Sequence, residues 1–317
     1  MDKRRIGNSE IEVQPFALGT NVFGWNVDQA QAFKILDKFQ EEGFELIDTA
    51  DVYANWVPGN EIGSSETIIG NWMKERGNRD KIVLATKVGS EVPPFKKDLK
   101  YEHIIQGVEG SLKRLRTEYI DLYQAHFDNE EVPVDETLKA FDKLVGQGKV
   151  KVIGASNLSP ERLEESLEYS SQNDLAQYQC FQPGYNLYDR EVYEKNLEPV
   201  VRKYGLGVIT YFSLARGFLS GKYRNGDDSV KSLRGSAIVK NYLNEKGFRI
   251  LETLDQIASK HNASPTMIAL SWLVSKDSVS AAIVSATNSE QLIEIAEGIR
   301  LELDMDSINL LDIVSAW

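Results

Sequence analysis

Short apolar runs, each followed by a longer stretch of helical period, alternate along the whole chain. Strands are expected in PFALGT, ELIDTA, IVLATKV, IDLYQAH, VKVIGAS, QCFQPGYN, GVITYFS and AAIVSAT, eight in all. Between them lie stretches such as DQAQAFKILDKFQEEG, SETIIGNWMKERGN and YEHIIQGVEGSLKRLR. Their apolar residues recur three and four positions apart and often close on glycine or asparagine, the pattern of a helix with one buried face. The strand runs are nearly continuous in apolar residues, as parallel strands covered on both faces are. Strand alternating with helix requires crossover connections.

Two architectures accept this order: a closed (β/α)8 barrel and an open doubly wound sheet. The count of eight and the even spacing favour closure, with residues 1–317 as one barrel domain. Upstream, RRIGNSEIEVQPF carries two strand-like pieces on either side of Gly7 and Asn8, which predicts an N-terminal β-hairpin capping one end of the barrel. Two stretches break the rhythm. RGFLSGKYRNGDDSVKSLRGSAIVKN follows the seventh strand, and LELDMDSINLLDIVSAW reads as an additional C-terminal helix. Long connections of the first kind commonly carry function.

Composition narrows the class. Of 317 residues 42% are hydrophobic and 26% charged, the balance of a globular chain. A formal charge of -12 repels polyanions, so neither nucleic acid nor an anionic membrane surface is an expected partner. Cys180 stands alone, so no internal disulfide forms, and its place inside a strand reads as core. MDKRRIGNSEIEVQP lacks the apolar centre of a signal peptide, and no apolar run reaches the roughly 20 residues of a membrane span. The expectation is a soluble cytoplasmic protein. With only His103, His126, His261 and one cysteine, no metal site is expected.

In a barrel of this kind chemistry is built at the C-terminal ends of the strands. Here the second strand ends at Asp48, the third at Lys87 and the fourth at His126. The fifth ends in Ser156 and Asn157, the sixth carries Gln182, the seventh ends at Tyr211 and Ser213, and the eighth at Ser285. Singly, Asp48 reads equally well as a turn cap, Lys87 as a solvated cation and His126 as a hydrogen-bonded structural histidine. Together, seven polar or aromatic strand ends in succession point to one pocket.

Asp48, Tyr53, Lys87 and His126 answer a definite chemical need. A phenol with an ordinary pKa near 10 is a reluctant proton relay. A lysine ammonium beside it stabilises the phenolate and is expected to lower that pKa, while an aspartate keeps the buried lysine paired. Histidine orients an oxygen or shares the proton. Such a set protonates an oxygen on which charge develops, as carbonyl reduction requires, yet it supplies no electrons. A hydride donor is therefore implied. Ser156, Asn157 and Gln182 are suited to a carboxamide and Tyr211 to a flat ring. Asp51, by contrast, reads as a surface or capping residue.

In DTADVY, ATKVG, LYQAHFD, IGASN, QPGYN, SLARGFLSGKY and SATNSEQL, taken in order, the chain resembles the aldo-keto reductases over essentially its whole length. The resemblance implies a (β/α)8 barrel that binds NADPH, with NADH as the alternative, in extended form and without a glycine fingerprint. It implies a catalytic tetrad of Asp48, Tyr53, Lys87 and His126, with Tyr53 as general acid. Ser156, Asn157 and Gln182 fall on the nicotinamide amide contacts, Tyr211 on the stacking ring, and Ser213, Leu214, Arg216 and Lys222 on a pyrophosphate clamp. Gly19, Thr20, Asn21, Asp48, Ser285, Thr287 and Gln291 complete the implied cofactor site.

The chain departs from the family pattern in three places. Ser285, Ala286 and Thr287 replace a run ending in arginine, which removes a guanidinium partner for an adenosine 2'-phosphate while leaving hydroxyls and a following helix N-terminus. Ile295 stands where an adenine-contacting asparagine is common, and Phe212 where a small residue is usual. For the substrate, Phe23, Trp25, Trp56 and Phe127 are expected to wall an apolar or sugar-stacking pocket. The resemblance implies reduction of an aldehyde or ketone by direct hydride transfer, and it allows a homo-oligomer. It leaves a second class open, a redox-sensing regulatory subunit like the family's channel-associated members.

Overall fold

The computed structural model describes residues 2–91, 97–232 and 234–317. Two short strands, β1 (Arg4–Arg5) and β2 (Glu12–Val13), pair antiparallel as a hairpin. Eight more follow: β3 (Phe16–Gly19), β4 (Leu46–Asp48), β5 (Val83–Val88), β6 (Ile120–Ala125), β7 (Val150–Ser156), β8 (Tyr178–Gln182), β9 (Gly207–Thr210) and β10 (Val279–Val284). All eight are parallel and close into a barrel in chain order, with β10 returning to β3. The expected (β/α)8 barrel and its hairpin are both present.

Each barrel strand is followed by at least one helix, as a parallel neighbour requires. The stretches predicted from their period become helices Gln29–Glu41, Ser64–Arg76 and Tyr101–Leu115, and the closing segment becomes Met305–Val314. Local chemistry sets several starts. Asp28, Ser159, Asn288 and Asp304 each accept a hydrogen bond from a backbone N–H of the first turn. The long connection after β9 holds a 3-10 turn at Ala215–Ser220, another at Gly226–Lys231 and a helix at Gly235–Tyr242.

Alternation along each strand divides the core into two clusters. Ala17, Leu46, Ala85, Leu122, Cys180, Ile209, Ala281 and Ile283 fill the barrel interior. Leu18, Ile47, Leu84, Tyr123, Ile153, Phe181, Val208 and Ala282 belong to the cluster that meets the helices. Apolar residues of both parities are what made these runs look continuous in sequence.

The hairpin plugs the lower mouth. Ile6 and Val13 join the interior cluster at 1% and 0% exposure. Their approach depends on glycine: a Cβ on Gly207 would lie 2.5 Å from the amide nitrogen of Gly7, and one on Gly7 would lie 2.2 Å from the carbonyl oxygen of Gln179. Gly7 also has a φ of +59°, which side chains disfavour. Gly207→Ala is expected to lower stability by about 1 to 3 kcal/mol in chemical denaturation, because backbone must move. Gly146→Ala, where an added Cβ meets nothing within 4 Å, is the control and should be neutral or stabilising. Equal effects of the two substitutions would mean that the plug does not rely on this contact.

Candidate active site

The same alternation that places Leu46, Ala85, Leu122 and Cys180 inside the barrel places Asp48, Lys87, Gln124 and Gln182 one step higher on the same face. All four are buried. Lys87 is fully enclosed, where an unpaired ammonium would be prohibitive. Its three N–H donors find three acceptors: Asp48 Oδ2 at 2.7 Å, the Thr49 carbonyl at 2.7 Å and the Tyr53 hydroxyl at 3.0 Å. Asp48 Oδ1 accepts from Gln182 Nε2 at 2.9 Å. Gln182 donates in turn to Gln124 Oε1 at 3.3 Å.

Tyr53 reaches this group from the loop after β4. Its amide donates to the Ala50 carbonyl at 3.2 Å, a turn that brings the phenol back over the pocket. The Tyr53 and His126 rings meet edge to face, 6.0 Å between centroids. The four residues expected to converge do converge.

Their electrostatics sharpen the roles. Burial would lower the lysine pKa, but attraction to Asp48 and Tyr53 and its hydrogen bonds to both outweigh this, so Lys87 stays a cation. Burial pushes the Tyr53 phenol above its ordinary value, and Lys87 only partly reverses that. The sequence expectation of a lowered phenol is thus corrected: desolvation of the phenolate is the larger effect, and Tyr53 is held as a protonated donor. His126 sits well below the usual histidine range, first through burial and then through Lys87, so its imidazole is neutral. Its Nδ1 is sealed from solvent without a partner among the described residues.

Around this centre the upper rim is cross-braced. Tyr211 donates to Asn157 Oδ1 at 2.8 Å, and Asn157 Nδ2 donates to the His126 carbonyl at 2.9 Å and to Ser156 Oγ at 3.0 Å. Ser156 Oγ donates to the Gln182 carbonyl at 2.8 Å. Ser213 Oγ lies within reach of the Ile283 carbonyl at 2.8 Å and the Thr210 carbonyl at 3.1 Å, tying the end of β9 to β10. Thr20 donates to the Asp48 carbonyl at 2.9 Å and is fully buried. At the far side Ser285 Oγ donates to Asn21 Oδ1 at 2.7 Å, and a Cβ on Gly19 would lie 2.8 Å from Ser285 Oγ. Thr287 donates its amide and hydroxyl to Gln291 Oε1 at 2.9 and 3.0 Å.

Directly after β9, Phe212, Ala215 and Arg216 all adopt positive φ, costly for residues with side chains. Leu214 lies between them, half-buried. The turn stacks the Arg216 guanidinium over the Phe212 ring, 4.0 Å from its centroid, which gives the departing residue Phe212 a structural role. Arg234 lies 5.1 Å from the Trp25 ring, and its pKa is lowered by burial and then by the like charge of Arg216. Lys222 is exposed nearby, its Nζ 3.9 Å from where a Cβ on Gly217 would stand. Three cations gathered on one loop without a carboxylate partner among the described residues make an anion-seeking rim.

The four aromatic residues expected to wall the substrate separate in the fold. Trp25 and Trp56 meet edge to face at 5.8 Å, with Trp56 48% exposed, and Phe127 stacks on His126 at 4.9 Å. Phe23 does not line the pocket: its side chain is fully buried in the cluster that meets the helices. Ile295 is likewise buried in that cluster. A cavity of about 630 Å³ opens beside Asn157 and Tyr211 and extends past Tyr188 to Lys246 and Trp317.

Three residues escaped the sequence reading. Gln124 stands two positions before His126, so the strand period already placed both on one face. Arg234 lies in the rhythm-breaking stretch after the seventh strand, where no period exists to orient it. Asp51, read as a surface or capping residue, is half-buried, and its Oδ1 is shut away from solvent and from any donor among the described residues.

The sequence profile described as the Aldo/keto reductase family matches residues 15–316. A Bacillus subtilis (strain 168) protein named uncharacterized oxidoreductase YrpG is 32% identical over 320 residues, covering 98% of this chain and 95% of that protein. A probable voltage-gated potassium channel subunit beta of Oryza sativa subsp. japonica is 32% identical over 302 residues, covering 93% of this chain and 90% of that one.

Since Lys87 neutralises Asp48 in a sealed interior, Lys87→Met leaves an uncompensated buried charge. Urea denaturation should register a loss of about 3 to 5 kcal/mol. Adding Asp48→Asn removes that charge, so the double variant should be more stable than the single one. A double variant that simply sums two losses would show that the pair is not the unit that matters.

Proposed function

The chain belongs to the aldo/keto reductase family, and from that membership we propose that it reduces an aldehyde or ketone to the alcohol with NADPH. The observation that carries the reading is the enclosed Lys87 ammonium, hydrogen-bonded at once to Asp48 and to the Tyr53 hydroxyl. Few other tasks justify a buried lysine, aspartate and tyrosine beside a neutral histidine.

The residues present fit a nicotinamide dinucleotide. The Tyr211 ring stands at the pocket mouth as a stacking surface, with the amide groups of Asn157 and Gln182 beside it for a carboxamide. Arg216, Lys222 and Arg234 supply positive charge for a pyrophosphate. Gly19, Asn21, Ser285, Thr287 and Gln291 stand toward the adenosine, where the hydroxyls of Ser285 and Thr287 are the donors for a 2'-phosphate. The bound carrier supplies the hydride.

The protein's own residues do the rest. Neutral His126 and the Tyr53 hydroxyl hold the carbonyl oxygen by hydrogen bonds. As negative charge grows on that oxygen, Tyr53 delivers its proton and the Lys87 ammonium stabilises the phenolate left behind. Asp48 keeps Lys87 charged and in place. Trp25, Trp56 and Phe127 wall the substrate.

The name of the rice relative supports a second reading, a regulatory subunit that binds the dinucleotide and senses its redox state. The intact proton-donating set favours the enzyme. Tyr53→Phe keeps the ring and removes the acid, so aldehyde turnover should drop about 100- to 10,000-fold while NADPH still quenches intrinsic fluorescence. Turnover at the wild-type rate would sink the role of Tyr53. Arg216→Ala and Arg234→Ala should each weaken NADPH binding about tenfold in the same titration, the loss of roughly one charge-assisted contact. Wild-type affinity in both variants, or equal affinity of the wild type for NADH and NADPH, would overturn the assignment of this rim and carrier.

A further inference from the structure

Against β5 at Thr86 and Lys87 lies a second group of acids that the reaction above does not use. Asp51 donates its amide to the Lys87 carbonyl at 3.3 Å, so it is tied to the catalytic lysine through the backbone. Its Oδ1 is sealed without a donor among the described residues. Its neighbour Glu66 is fully buried and has both oxygens engaged: Oε1 accepts from Thr86 Oγ1 at 2.6 Å and Oε2 from Arg114 Nε at 2.6 Å. Arg114 is thereby committed to Glu66. The Tyr123 hydroxyl is also sealed and unpartnered among the described residues.

This arrangement makes the two carboxyls unequal. Glu66 accepts from a guanidinium and a hydroxyl, and Asp51 Oδ1 accepts from neither. A carboxyl oxygen sealed without a donor disfavours the anion, so Asp51 keeps its proton.

We propose that Asp51 is a positioning residue for the Lys87–Tyr53 pair, a half-buried acid with one carboxyl oxygen sealed, protonated at rest, whose ionisation places a negative charge beside that pair and weakens Tyr53 as a proton donor. The inference rests on the reading of Tyr53 as the acid. The groups facing Asp51 are Glu66 from helix Ser64–Arg76, Arg114 from helix Tyr101–Leu115, Lys87 from β5, Tyr123 from β6, and Tyr53 on its own loop. Burial and then Glu66 raise its pKa to about 7, against the opposing pull of Arg114, Lys87 and the Val52 backbone N–H. An Asp51 anion in turn pushes the Tyr53 phenol up.

The sign for stability follows. A carboxyl whose pKa is raised by folding stabilises the fold fully below its unfolded value, and that contribution is lost as pH rises through about 7. Asp51→Asn, which keeps the shape and cannot ionise, removes this loss.

Three readouts test the proposal. Infrared difference spectra should show a protonated carboxyl band in the wild type that disappears as pH passes about 7 and is absent from Asp51→Asn. Melting temperatures of wild type and Asp51→Asn should diverge as pH rises from about 3.8 to about 7, with the wild type falling, and run parallel above. For aldehyde reduction, kcat in the wild type should decline about three- to tenfold as pH passes about 7, Asp51→Asn should flatten the decline, and Asp51→Glu should retain it. A profile unchanged in Asp51→Asn while Tyr53→Phe is inactive overturns the Asp51 proposal alone. Active Tyr53→Phe overturns the reading of Tyr53, and with it the proposed effect on Tyr53. If Asp51→Asn does not fold, the wild-type infrared titration and the Asp51→Glu profile still decide, and absence of a titrating band overturns the proposal.

Discussion

The structure turns on one buried charge. Lys87 has no route to water, and an ammonium there survives only because each of its protons meets an oxygen. Satisfying it dictates where Asp48 ends its strand and how the chain turns after β4 so that the Thr49 carbonyl faces inward and Tyr53 swings back. The cost of leaving that cation unpaired would be several kcal/mol, so stability and chemistry impose the same geometry. A lysine able to stretch to solvent would have imposed neither.

The barrel makes such an arrangement sustainable. Its interior is apolar from the hairpin plug up to the level of Cys180 and Leu122, and polar one residue higher. Low polarizability below the site strengthens the Lys87–Asp48 attraction, and the rim of hydrogen bonds from Tyr211 through Asn157 to Ser156 holds the mouth in shape. The strained turn at Phe212 to Arg216 belongs to the same design, since it presents cations at the mouth instead of folding them into the core. Membership of the aldo/keto reductase family, seen across residues 15–316, agrees with a site that occupies the whole upper face and not one local motif.

Desolvation, more than pairwise attraction, separates the roles of the titratable groups. It keeps Tyr53 protonated, His126 neutral and Asp51 a weak acid, while Lys87 stays charged only by being fully paired. Groups a few residues apart in sequence therefore behave differently for reasons that no residue type announces.

What the sequence by itself determined was the alternation of eight apolar runs with helical stretches, the hairpin around Gly7, and the polar strand ends from Asp48 to Ser285. These were legible because strand and helix periods are local, set by backbone geometry within a few residues. The roles of Phe23, Asp51 and Arg234 were not. Phe23 and Trp25 are neighbours on one loop, and only packing decides that one enters the core and the other meets Trp56 and Arg234. Asp51 keeps an unpaired, sealed oxygen while Glu66 and Arg114, brought in by two different helices, bond each other. Gln124 was implied by its period yet acquires meaning only when Gln182 meets it across the barrel. Burial and partner choice are long-range quantities, summed over residues that are distant in the chain, and the tertiary structure alone decides them.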